Sequence, residues 1–391
     1  MFKKIEFILA IIFSIIFFIL IVSFTFEKSE DLIKPLTPSP SPTQTSETSP
    51  TTTQPSYPNV ISSDNIGQLS EIYTFDTTKY LGHSSEIRSI KFSHNRSLLA
   101  AGTVDSQIMV WDTTSKKLKY SLNAPSLTGI NSWWGIYSIA FSPDDKIIAT
   151  TDNSVIELWN SKDGNLIKVL NGHTSQIVTA DFCNTSDKIY SGGDQTVRIW
   201  DIAQGKEIKR YSGITNGVSE FYCSNDGSLS AFIGSTAGGS SPYNLVITMV
   251  KYWQTAYKIT VPINWYDFNA YHYGLAFSPT NDLIALQTRR GIFLANPKTG
   301  QQLKGPEFDI RDSSIQYYHS PVVFSPDGKL LVYNSIDGKI TIWDTLQQKD
   351  IYSFTGHNSF INSLDFSSDG SMIASGSNDG TVKLLGINGK K

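Results

Sequence analysis

His173, Ser191 and Asp194 fall within 22 residues of one another, and they are the residue types of nucleophilic catalysis. A serine activated by a histidine, itself oriented by an aspartate, is the set for acyl transfer. The same types recur along the chain, however: His83 with Asp105, and His357 with Ser375 and Asp379. An enzyme needs one nucleophile exposed beside its base, whereas recurrence fits a structural unit. His83, His173 and His357 are therefore read as structural, and no catalytic residue is assigned. His272 and His319 occupy matching positions in neighbouring stretches. No Cys or carboxylate stands at a third matching position, so no metal or other cofactor is assigned. Cys183 and Cys223 are the only cysteines. They are read as two independent thiols, because a bridge needs Cα atoms within about 7 Å. An extracytoplasmic site would permit the bond.

The elements that position these residues form a repeat. Gly82-His83 is followed by Trp111-Asp112, and Gly172-His173 by Trp200-Asp201; Trp343-Asp344 and Gly356-His357 continue the series. An apolar anchor ending each unit's first strand recurs at Phe92, Phe141, Phe182, Tyr222, Phe277, Phe324 and Phe366. Turns such as Ser142-Pro143-Asp144-Asp145 and Ser325-Pro326-Asp327-Gly328 follow the anchor. Their Ser, Pro, Asp and Gly favour a tight reversal. Third strands such as Val197-Arg198-Ile199-Trp200 are rich in β-branched and aromatic residues, as strands packed on both faces are.

This pattern resembles the WD40-repeat β-propeller family, and the reading is of a bacterial-type, membrane-tethered member. The resemblance implies an all-β fold over residues 59–391, a seven-bladed β-propeller. Leu69–Phe75 precedes the first Gly-His and has no blade of its own. It is expected to close the ring as the outer strand of blade seven. The resemblance also implies a hydrogen-bonded tetrad in each blade. Blade three offers it complete, as His173, Ser191, Asp194 and Trp200. Blade one has Ala101 in place of the hydroxyl, and blade seven has Leu385 in place of Trp. Blade six keeps Asp337 and Trp343, blade two keeps only Trp159, and blades four and five match poorly.

Loops entering the first strands open on one face, where family members often bind peptides or protein surfaces. Six residues before each anchor stand Glu86, Gly135, Gln176, Asn216, Tyr271, Tyr318 and Phe360. Trp133 and Trp134 replace Gly-His in blade two, Trp265 and Tyr266 lie on the approach to blade five, and Tyr317 precedes Tyr318. Exposed Trp and Tyr are common binding anchors. The candidate partner face is thus Trp133, Trp134, Trp265, Tyr266, Tyr271, Tyr317, Tyr318 and Phe360.

The formal net charge of −3 on 391 residues provides no basic stripe for nucleic acid. Phe7 to Phe26 is an uncharged apolar run of 20 residues, long enough to span a bilayer as a helix. Lys3 and Lys4 precede it and Glu27, Glu30 and Asp31 follow, which orients the rest of the chain outward. Residues 1–27 are therefore read as a membrane anchor, and 28–58, rich in Pro, Ser and Thr, as a disordered linker. The expected protein is a single-pass cell-membrane, non-catalytic binding scaffold. Its monomeric propeller is extracytoplasmic and takes a protein or peptide. A hydrolase-type propeller enzyme or a ligand sensor, with its site at the channel mouth, is the alternative.

Overall fold

The computed structural model describes residues 60–124, 135–212, 221–224, 227–236, 244–251, 254–262, 274–288, 291–307, 321–335 and 338–387. The chain divides into two units, Met1–Pro55 and Ser56–Lys391, and every described residue belongs to the second. Among these residues no helix is long and apolar enough to cross a membrane. The Phe7–Phe26 run and the Pro-rich stretch lie outside them.

The described residues form seven four-stranded antiparallel sheets. Six are simple meanders. The first runs Ile87–Phe92, Leu98–Thr103, Gln107–Asp112 and Lys117–Asn123. The seventh takes Ile361–Phe366, Met372–Ser377 and Thr381–Ile387 from the end of the chain. Its outer strand is Leu69–Asp76, paired antiparallel so that Leu69 opposes Ile387 and Asp76 opposes Thr381. The first strand of each sheet packs beside the first strand of the next, and the seventh returns to the first. The architecture is an all-β propeller.

Within a sheet, burial declines outward. Leu98–Thr103 is buried throughout, whereas Lys117–Asn123 alternates exposed with half-buried, the period of two expected of a one-sided strand. The core therefore lies in wedges between neighbouring sheets. Phe75, Ile87, Leu99, Trp111, Val382 and Leu384, for example, fill the wedge between blades seven and one. Gly135 shows how closely blades approach. Its φ is +66°, and a Cβ there would lie 2.2 Å from the Thr103 carbonyl oxygen of blade one.

Hydroxyls near the axis link one blade to the next. Ser89 Oγ donates to the Ile136 carbonyl at 3.1 Å, and Ser363 Oγ accepts the Ile90 N–H at 3.0 Å. Asp365 accepts the Phe92 N–H at 2.8 Å and pairs with Lys91 Nζ at 2.8 Å. At the turn end, Asp145 of blade two accepts the N–H groups of His94 and Asn95 in blade one, at 2.7 and 2.8 Å. Closure, core and blade-to-blade links all lie within Ser56–Lys391, so this unit carries what it needs to fold alone.

The structure corrects the reading of the cysteines. Cys183 and Cys223 form a disulfide with Cα atoms 5.3 Å apart. Equivalent positions at the ends of the first strands of blades three and four come inside bridging distance.

Candidate functional site

Blade three holds a complete buried chain of hydrogen bonds. His173 Nδ1 lies 2.7 Å from Asp194 Oδ1, and its Nε2 lies 2.7 Å from Ser191 Oγ. Trp200 Nε1 donates to the same hydroxyl at 2.8 Å. Burial keeps His173 below its ordinary pKa, against the pull of Asp194. Burial opposes ionisation of Asp194, yet hydrogen bonds from Thr196, the Thr174 N–H and His173 hold it at about 2. Arg198, almost fully buried, adds an ion pair to Asp194 at 2.5 Å and one to Glu207 at 3.0 Å. Ser191 is 0% exposed, so no substrate carbonyl reaches it. The chain ties the blade's strands together by satisfying every member.

The other blades show what happens when a member changes. In blade seven His357 keeps its bonds to Asp379, at 3.0 Å, and to Ser375, at 2.8 Å, with Leu385 in the indole's place. In blade one Ala101 offers no hydroxyl. His83 then stands in solvent, paired only with Asp105 at 3.1 Å and the Leu81 carbonyl, and Trp111 Nε1 is buried with no partner. In blade six Tyr333 occupies the hydroxyl position, but its Oη reaches outward to Asp350 at 2.7 Å. Asp337, His272 and His319 lie outside the described residues.

Blade two needs a correction, for it keeps more than Trp159. Thr150 pairs across from Glu157 just as Ser191 does from Arg198, and Trp159 Nε1 donates to its hydroxyl at 2.9 Å. That hydroxyl donates in turn to Glu157 Oε2 at 3.1 Å. Glu157 is 0% exposed and its second oxygen has no partner. Burial pushes its carboxyl up to about 8, with Asp152 adding to the rise and Thr150 opposing it. A glutamate in the unfolded chain titrates at about 4.3. Between these values the folded state holds a proton that the unfolded state releases, so stability falls as pH rises. Glu157→Gln is therefore expected to raise the melting temperature by about 5 °C at pH 8.5 and to leave it unchanged at pH 4. Scanning calorimetry at the two pH values checks this, and an equal shift at both would remove titration as the cause.

The channel along the axis encloses a cavity of about 370 Å³. At its Gly-His end the first strands of blades one, two, three and seven carry a register shift: at Arg88, at Tyr137-Ser138, at Val178 and at Asn362. A bulge inserts one residue and re-aims its side chain, and Arg88, Tyr137, Val178 and Asn362 all line the channel. Arg88 pairs with Glu86 at 3.0 Å. Asn362 Nδ2 donates to the Ile87 carbonyl at 2.7 Å and to Asn378. Burial raises the Tyr137 phenol, opposed by Arg88 and by a hydrogen bond to Gln176. Deeper in the channel burial disfavours the Lys91 ammonium, but Asp365 and Asp181 hold its pKa above the ordinary value. Among the described residues no three His, Cys, Asp or Glu side chains converge as a metal set.

Of the aromatics read as a partner face, Phe360 is described. It is partly exposed beside the channel mouth, and its carbonyl accepts the Asn378 N–H at 2.9 Å. Trp133, Trp134, Trp265, Tyr266, Tyr271, Tyr317 and Tyr318 lie outside the described residues. Arg88, Tyr137 and Asn362 stand four residues before their anchors, two positions inside those found by counting six back. The residue following each opening isoleucine, at Ile87, Ile136 and Ile361, was the available signal.

These features define a propeller in which blades two, three and seven are pinned by a buried polar chain or a variant of one. The WD domain, G-beta repeat model matches residues 72–112, 124–160, 164–201 and 348–384, and the anaphase-promoting complex subunit 4 WD40 domain model matches 275–359. The chain belongs to the WD40 repeat family. It is 28% identical to protein tipD of Dictyostelium discoideum over 287 residues, 71% of this chain and 42% of that protein. It therefore spans less than half of tipD. It is 24% identical to a guanine nucleotide-binding protein subunit beta of Nicotiana tabacum over 328 residues, 79% of this chain and 83% of that one. The Solanum tuberosum counterpart is 23% identical over the same shares. These relatives are eukaryotic and lend no support to a bacterial-type reading.

Proposed function

We propose that the protein is a non-catalytic scaffold that binds a protein or peptide at the channel mouth on its Gly-His face. The observation that carries this is the set of bulged first strands, which turn Arg88, Tyr137 and Asn362 into a mouth flanked by Glu86 and Phe360. An ion pair, a phenol, an amide and an aromatic edge suit a surface loop or chain segment with mixed polarity. Two relatives carry the word subunit in their names, which fits work inside an assembly. The propeller is read as extracytoplasmic, tethered through residues 7–26. The Cys183–Cys223 disulfide supports an oxidising compartment, and the apolar run with its flanking charges supports the tether.

The test is capture from surface extracts with the fragment 56–391 and with its Tyr271→Ser/Tyr318→Ser/Phe360→Ser variant. The variant is expected to melt within about 2 °C of the parent and to lose at least about tenfold in captured partner. Unfolding of the variant would show that these aromatics fill the fold. Equal capture would place the partner elsewhere.

A further inference from the structure

A second surface lies at the far end of blades one to three, away from the channel mouth. Their outer arms span residues 112–123, 160–171 and 201–211. Together these carry eight Lys or Arg against four Asp or Glu, on a chain whose net charge is −3. The four acids are committed locally. Asp112 accepts the Ser115 N–H at 2.7 Å, Asp163 the Asn165 N–H at 3.0 Å and Asp201 the Gln204 N–H at 2.7 Å. Glu207 pairs with Arg198 at 3.0 Å and Arg210 at 2.8 Å. Lys117, Lys162 and Lys206 are exposed.

The three arms form one continuous rim. Tyr120 Oη of blade one donates to the Ser161 carbonyl of blade two at 2.7 Å. Lys168 Nζ of blade two donates to the Ile202 and Ala203 carbonyls of blade three at 2.9 and 2.7 Å. Between the lysines stand three exposed apolar side chains, Leu166 at 44%, Ile167 at 47% and Ile208 at 47%. In blades seven and six, which continue the ring from blade one, the outer strands Leu69–Asp76 and Lys349–Thr355 carry three acids and one lysine.

Outer strands are often charged to prevent edge-to-edge pairing. That need is met by either sign, and it is defeated by leaving leucine and isoleucine exposed. Positive charge interleaved with exposed aliphatic side chains matches a different partner, an anionic bilayer, whose headgroups take the lysines and whose acyl boundary takes the apolar tips. We propose that the outer rim of blades one to three docks on an anionic membrane surface. The proposal does not depend on the binding mode at the channel mouth, on the apolar run near residue 7 or on the side of the membrane where the propeller lies; it requires only that the leaflet facing the rim is anionic.

The fragment 56–391, which lacks that run, is tested by co-sedimentation with phosphatidylcholine vesicles with and without phosphatidylserine. Binding is expected only with phosphatidylserine and is expected to weaken as salt is raised. Each lysine near an anionic leaflet contributes roughly fivefold, so Lys117→Glu/Lys162→Glu/Lys206→Glu should weaken binding about 100-fold or more. Leu166→Ser/Ile167→Ser/Ile208→Ser should weaken it about tenfold or more at unchanged charge. Lys→Gln changes at the same three sites serve if the reversal variant does not fold. Absence of phosphatidylserine-dependent binding overturns the proposal, as does an unchanged charge variant. An unchanged apolar variant alongside tight binding to heparin would instead mark the rim as a site for soluble polyanions.

Discussion

Removing residues 59–78 is expected to leave a chain that does not form a stable ring. The deleted stretch supplies the outer strand of blade seven, registered from Leu69 opposite Ile387 to Asp76 opposite Thr381. It also supplies core. Ile61, Ile66 and Leu69 are buried in the wedge between blades six and seven, and Phe75 stacks on Trp111 at 4.7 Å between ring centres in the next wedge. Burying four such side chains stabilises by about 8 kcal/mol, comparable with the whole net stability of a typical domain. Further ties disappear, among them the Ile61 N–H to the Gly370 carbonyl at 2.9 Å and Tyr352 Oη to the Leu69 carbonyl at 2.8 Å. The bare edge of Thr381–Ile387 would then be open to another chain. The measurements are far-ultraviolet circular dichroism on heating and light scattering. A deletion variant as heat-resistant and monodisperse as the parent would overturn the closed-ring account. Adding the deleted peptide in trans should restore part of the lost melting temperature, because the site it leaves is a preformed strand slot.

Local patterns were legible in the sequence because their cause is local. Turns at Ser142–Asp145 and Ser325–Gly328 followed from Pro, Asp and Gly chemistry, and the closing strand followed from a strand-like segment without a blade. The tetrad of blade three was legible because all four members keep their usual types. Three features were not legible, each for a physical reason. Thr150 and Glu157 were invisible because threonine replaces serine and the carboxyl bonds a hydroxyl where blade three has His173. The channel-mouth residues were displaced by a bulge, which breaks the period of two on which counting along a strand relies. The disulfide depended on the convergence of neighbouring first strands, a distance set by the ring and not by the sequence separation of 40 between the cysteines.

That disulfide joins the first strands of blades three and four. Six of the wedges between blades each bury at least eight hydrophobic side chains. Between blades three and four the described residues Val197 and Phe221 are buried together. Cys183, Tyr190, Tyr211 and Cys223 pack around them, and Tyr190 stacks on Phe221 at 5.9 Å. The bridge adds a covalent tie to this wedge. Closing a loop of this length removes unfolded-state entropy equivalent to about 4 kcal/mol. Cys183→Ser/Cys223→Ser is therefore expected to lower the melting temperature of the fragment 56–391 by about 10 °C. Reductant should produce the same drop in the parent and none in the variant, and either single substitution should match the double. A parent that reductant does not affect, and whose two thiols react freely with a thiol reagent under native conditions, would remove the bridge from the account. The same chemistry bears on location. Reducing compartments keep such thiols free, so alkylation of intact cells before lysis should leave Cys183 and Cys223 unmodified if the propeller lies outside the cytoplasm. Labelling of both would place the ring in a reducing compartment and leave the wedge between blades three and four without its covalent tie.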